Sequence, residues 1–155
     1  ATSNTDANTL DDYEEGTFTP TLLIDGSTTG TTQDNCAGTY TKVGRAVHCT
    51  MIIVLEAKGS ETGSITVGAL PFTVGDTLAN TSIEASGAIG FFTGTTNSND
   101  SAGIDILAIL ATSGGVTLEF RKRGGTAPGH VDNVLTNAGI QNSFSVRASI
   151  TYFVA

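Results

Sequence analysis

The run Thr39–Glu56, TYTKVGRAVHCTMIIVLE, limits the fold more than any other part of the chain. Its apolar residues recur at every second position, the period of a strand and not of a helix. A short β-prone piece, a tight turn around Val43–Arg45 and a long second strand make a hairpin. On the second strand Val47, Cys49, Met51, Ile53 and Leu55 point one way. Ala46, His48, Thr50, Ile52 and Val54 point the other, so this second face begins polar and ends apolar. A strand apolar on both faces needs cover on both.

The same alternation runs through the rest of the chain. Gly63–Phe72 turns Ile65, Val67 and Ala69 inward and stops at Pro71, which cannot donate to a ladder. Thr81–Gly94 places Ile83, Ala85, Gly87, Ile89 and Phe91 on one face. Ile104–Leu110 is apolar on both faces apart from Asp105. Val116–Phe120 turns Thr117 and Glu119 outward, and a short strand fits Val131–Leu135. The last strand sets Phe144, Val146, Ala148, Ile150, Tyr152 and Val154 against Ser145, Arg147, Ser149, Thr151 and Phe153. Some eight to ten strands at intervals of about ten residues predict an all-β fold, an antiparallel β-sandwich of jelly-roll-like form. No internal repeat points to a propeller or solenoid. Met51–Leu55 and Ile104–Leu110 are apolar on both faces, whereas a two-layer sandwich buries one face of each sheet. The exposed apolar face predicts an oligomer, the alternative being a covering loop of the same chain.

Charge narrows the function. The formal net charge is −8, and charged residues are 14% of the chain against about 25% in an ordinary domain. Binding to nucleic acid needs a basic stripe, and Arg121–Arg123 beside glycines reads as a hairpin end instead. No run of 18 apolar residues offers a membrane span. The chain begins with Ala1, and residues 1–9, ATSNTDANT, read as a tether arriving from something upstream; residues 10–155 then form one domain. Cys36 and Cys49 would share a hairpin face too far apart to bond, as two small buried thiols.

Catalytic patterns are absent. The acids Asp11, Asp12, Glu14 and Glu15 crowd around Tyr13, but adjacent carboxylates in extended chain point opposite ways. Glycoside hydrolysis needs two carboxyls facing each other across a sugar. His48 sits mid-strand, His130 follows Gly129 in a glycine-rich loop, and neither has a nucleophile in evident reach. The chain is expected not to be an enzyme. No metal or cofactor is expected either: His and Cys are scattered, and Asn97–Asp100 and Asp25–Asn35 lack calcium-loop spacing. A sugar site remains compatible with the residues, although tryptophan is absent. The candidate ligand-binding residues are Asn97, Asn99 and Asp100 in one polar loop and His130, Asp132 and Asn133 at the end of Thr126–Asn133.

The segment Thr9–Leu22, TLDDYEEGTFTPTL, resembles one that introduces the C-terminal β-structured domain of phage and prophage tail fibre and tailspike proteins. Gly38–Leu55, GTYTKVGRAVHCTMIIVL, looks like that family's hairpin and long apolar strand, and Thr62–Phe72, TGSITVGALPF, like its later strand ending in Leu-Pro-Phe. Phe144–Ala155 is similar in character. The likeness is good from Thr9 to Phe72 and looser beyond, and GGTAPGHVDNV and NSND match nothing in it. It implies a homotrimeric domain at the tip of a virion appendage, joined to an upstream fibre shaft. It further implies recognition of a host-surface polysaccharide or receptor, or else a ligand-free trimerising cap. No catalytic role transfers to Asp11–Glu15. Tyr13 is expected to anchor the entry, and Phe18 to be the first core residue.

Overall fold

The computed structural model describes residues 12–78, 83–96, 105–123 and 132–154. Ten strands run in the order β1 (Tyr13–Phe18), β2 (Thr21–Ile24), β3 (Thr32–Val43), β4 (Ala46–Ala57), β5 (Ile65–Gly68), β6 (Ile83–Thr95), β7 (Asp105–Thr112), β8 (Leu118–Arg123), β9 (Asp132–Val134) and β10 (Ile140–Phe153). One 3-10 turn, Asn137–Gly139, precedes β10. Every pairing is antiparallel, and the ladder order is β1-β3-β4-β10-β6-β7-β8-β5-β2, with β9 on β8. The all-β antiparallel expectation is met. The sheet is continuous, curled into a half-barrel, so the surfaces that meet in the core belong to one sheet. No helix among the described residues is long and apolar enough to cross a membrane.

Side chains from the two ends of this order share one core. Leu22 and Ile24 of β2, Val47–Leu55 of β4, Leu118 and Phe120 of β8 and Phe144–Tyr152 of β10 contribute alternate residues to it. Phe120 and Phe144 meet edge to face at 6.2 Å although β6 and β7 separate their strands in the ladder. Leu22 N–H donates to Gln33 Oε1 at 2.8 Å, which brings the β2 edge back beside β3. The segment after β5 closes one end of the curl. Leu70 N–H bonds to the Val116 carbonyl, Gly75 N–H bonds to the Phe153 carbonyl, and Leu70 and Val74 are buried. Tyr152, fully buried, clamps this segment: its hydroxyl accepts from Phe72 N–H at 3.3 Å and donates to the Phe72 carbonyl at 3.1 Å.

The β3–β4 hairpin follows the alternation read from the sequence, with Val47, Cys49, Met51, Ile53 and Leu55 all buried. Both cysteines are free; Cys36 faces Ile53 and Cys49 faces Tyr40, so they stand apart along the ladder. Burial pushes the Cys49 thiol up to about 11, away from reactive thiolate character.

Four positions depart from strict alternation. Ala69 takes a left-handed conformation (φ 64°) and is exposed, so Leu70 turns inward in its place. A bulge opposite Arg147–Ala148 inserts one residue into β6; Phe92 then packs on the core and Phe91 is exposed. Val116 precedes β8 and is exposed. Ile83, at the start of β6, is exposed as well.

Candidate functional site

The entry strand is built by a reciprocal exchange between aromatic rings and glycines. In the β1–β3 ladder Gly16 faces Tyr40 and Phe18 faces Gly38. The Tyr40 ring lies where a Gly16 Cβ would stand, within 2.9 Å, and the Phe18 ring similarly fills the space over Gly38. Each ring thus covers backbone that a glycine leaves open, a cross-strand pairing that strengthens an edge. Phe18 does join the core from a half-buried position.

The acids divide between the two faces. Glu14 points inward, where Tyr40 donates to its Oε1 at 2.6 Å. Glu15 points outward and accepts the Tyr13 hydroxyl at 2.8 Å. Asp12 takes both hydrogen bonds of Lys42 at 2.7 Å. Lys42 Nζ also lies 5.9 Å from the centre of the Phe72 ring, which meets Tyr40 edge to face at 5.2 Å. The segments DYEEGTF, GTYTK and LPF therefore converge on one corner. Tyr13 does not anchor that corner: it is 55% exposed, and Tyr40 does the anchoring from the opposite strand. The reason is parity, because Tyr13 is in register with outward Val43.

These contacts can be read by titration. The Glu14 hydrogen bond, then burial, raises the Tyr40 phenol above its ordinary 10.0; the Glu15 hydrogen bond, then its charge, raises Tyr13. Burial raises Tyr152 further. All three tyrosines of the chain are thus displaced upward, and without tryptophan their absorbance is free of overlap. Their contribution to stability is fully present below pH 10.0 and is lost as pH rises through the folded pKa values. Glu14→Gln removes the charged acceptor, and tyrosinate absorbance is then expected to show one phenol moving back toward pH 10.0.

Of the candidate ligand residues, Asn97, Asn99, Asp100 and His130 lie outside the described residues. Asp132 and Asn133 open β9, and Asn133 is exposed opposite Lys122. The strand ends that hold the two segments are neighbours: Asp105, at the start of β7, pairs with Arg123, at the end of β8. Thr96, at the end of β6, bonds to the Gly139 and Ala138 carbonyls beside the 3-10 turn. In sequence the two loops are separate; the topology roots both at one end of the sheet.

A crevice and a trough are open among the described residues. A crevice of about 430 Å³ lies between Lys58–Gly63 and Thr136–Ala138. Its cation is committed, since Lys58 Nζ donates to the Asn137 and Ile140 carbonyls at 3.0 and 2.7 Å. A trough of about 700 Å³ crosses β1, β3, β4, β10 and β6, with Thr39, Thr50, Ile52, Arg147 and Ser149 along it. Thr39 and Thr50 hydroxyls bond each other at 2.9 Å, and the Arg147 guanidinium lies 5.3 Å over the Phe91 ring. Sequence reading misses this trough because it belongs to the outer face, whose threonines and serines look like ordinary solvent positions. Among the described residues no group of three or more His, Cys, Asp or Glu is placed to hold a metal ion.

No protein-family model matches the chain, and no curated protein matches it. Among solved structures it is similar to the crystal structure of the Dettilon tailspike protein (gp208), at 18% identity with a TM-score of 0.68. The match covers 91% of this chain and 24% of that one, so the chain spans about a quarter of the tailspike it matches. A likeness at this identity is one of fold.

Proposed function

We propose that the chain is the tip domain of a phage tail fibre or tailspike, a homotrimer joined to an upstream shaft that attaches the virion to a host-surface polysaccharide or receptor. On this reading the curled sheet is a jelly-roll-like sandwich, and the domain binds without catalysing. The supporting observation is the fold likeness to a tailspike over 91% of the chain. It coincides with a role in the fold for the resembling segments, since DYEEGTF, GTYTK and LPF meet at one corner.

Ligand recognition is assigned to Asn97, Asn99, Asp100, His130, Asp132 and Asn133, because their segments leave neighbouring strand ends. Asn, Asp and His offer the donors and acceptors that sugar hydroxyls need. Replacing residues 97–100 or 126–133 by glycine-serine chain of equal length is expected to weaken binding of the labelled domain to host cells by about tenfold or more. Unchanged binding in both variants would sink this site. A second reading, a trimerising or capping module without ligand, draws on the exposed outer face of the sheet. It predicts no binding to host cells by the unaltered domain.

A further inference from the structure

The outer face of β1, β3, β4, β10 and β6 differs from the rest of the surface. Register places Tyr13, Val43, Ala46 and Phe153 in one row across four strands. A second row runs Thr17, Thr39, Thr50, Ser149, Ala88, and a third runs Ala37, Ile52, Arg147, Phe91. Tyr13, Val43, Phe91 and Phe153 are between 39% and 55% exposed, and they are four of the seven large hydrophobic residues exposed among those described. Singly such residues mean little; gathered on one face they mark a contact surface.

Charge says what kind of contact. The chain carries 15 acidic and 7 basic side chains. Between the first row and the second, Glu15, Thr41, His48 and Thr151 are in register, so the β1 edge of the face carries one carboxylate. The outward positions of β4 from Ala46 to Val54 and of β10 from Ser145 to Phe153 hold none, and Arg147 is the cation among them. Among the described residues that cation meets the Phe91 ring. Two copies of a chain with net charge −8 repel each other, and their contact costs least where carboxylates are few. Acid depletion with aromatic enrichment is also the composition of a protein interface core. The face has relief as well: the 700 Å³ trough lies among small side chains at its middle, and the Tyr13 and Phe153 rings stand in the row at one end. A surface bearing both a hollow and projecting rings can complement a copy of itself.

We infer that this outer face is where the chain docks on another copy of itself, with the trough and the Tyr13–Phe153 row inside the contact. The inference deepens the oligomer proposed above and rests on it. It differs from an expectation built on apolar strands alone, because the stretches Ala46–Val54 of β4 and Ser145–Phe153 of β10 are selected by the lack of carboxylates on their outer face.

Sedimentation velocity on the whole chain tests it. The unaltered chain is expected to associate at micromolar concentration. Thr50→Lys with Ile52→Lys sets two ammonium groups in the middle of the face and is expected to weaken association by about 100-fold or more. Thr28→Lys, in an exposed turn outside the three rows and not lining the trough, is expected to leave association unchanged. Folding of each variant is checked by its thermal transition. Phe153→Ser, at a half-exposed position, gives the same reading if the double variant does not fold. An unaltered chain that stays monomeric overturns both the oligomer and the face. An oligomer indifferent to the lysines and to Phe153→Ser overturns the face alone. The host-cell assay with the loop replacements reads the recognition site separately.

Discussion

Truncation of Phe144 to alanine is expected to destabilise the domain by about 3–5 kcal/mol, a large share of the roughly 5–15 kcal/mol that holds a domain of this size together. Phe144 is fully buried, and its ring packs edge to face on Phe120, itself fully buried. No ladder joins their strands: β10 pairs β4 and β6, while β8 pairs β7, β5 and β9. The contact therefore holds the curl shut across the core, and the hydrogen bonds of the sheet cannot substitute for it. Denaturant unfolding of Phe144→Ala, Phe120→Ala and the double variant checks this. The two losses should fall short of additivity by about 0.5–1.5 kcal/mol, the worth of an aromatic pair beyond its buried area. Strict additivity would mean that the two sides of the curl do not lean on each other.

The sequence shows the elements better than their closure. Alternation from Val47 to Leu55 is unbroken because β4 pairs on both sides without an internal bulge from Ala46 to Ile53. The inward set is therefore readable residue by residue. In β6 the same reasoning puts Phe91 inside, and one extra residue against β10 reverses the parity from there on. A bulge leaves no local mark in a glycine-rich run such as SGAIGFFTG. Ala69 departs for a similar reason: a left-handed alanine is a property of the corner, made tolerable by the burial of Leu70 and the Leu70–Val116 bond. At the entry, the carboxylates are visible in the sequence, but their partners are not. Tyr40 reaches Glu14 across 26 residues of chain, and Lys42 reaches Asp12 across 30. That convergence depends on register, which no single segment encodes. The candidate loops stand out by their turn-forming composition, and only the pairing of Asp105 with Arg123 relates them to each other.

β6 also separates three glycines that look alike in sequence. At Gly87 an added Cβ would stand 2.4 Å from the Ser149 carbonyl oxygen, 2.7 Å from Ile150 Cβ and 2.8 Å from Ile109 Cγ1. None of these is the free end of a flexible side chain; Ser149 and Ile150 belong to the β10 ladder, and Ile150 and Ile109 are core. Gly87→Ala must push β6 off β10, at the upper end of the roughly 1–3 kcal/mol that overpacking costs. At Gly94 the backbone is left-handed (φ 75°) and a Cβ would lie 2.6 Å from the Ser143 carbonyl oxygen and 2.7 Å from the Phe144 backbone. About 1–2 kcal/mol of conformational strain then adds to a similar steric term, so Gly94→Ala is expected to be the most damaging of the three. At Gly90, beside the bulge, an added Cβ would meet nothing within 4 Å. Gly90→Ala should be neutral or slightly stabilising, because alanine restricts the unfolded chain. Thermal and denaturant unfolding of the three alanine variants checks the order Gly94, Gly87, Gly90 from greatest loss to least. Equal losses at all three would mean that these glycines serve strand propensity in general. The expected order instead ties each to one contact across the β6–β10 seam, next to the trough where Gly90 and Ser149 lie.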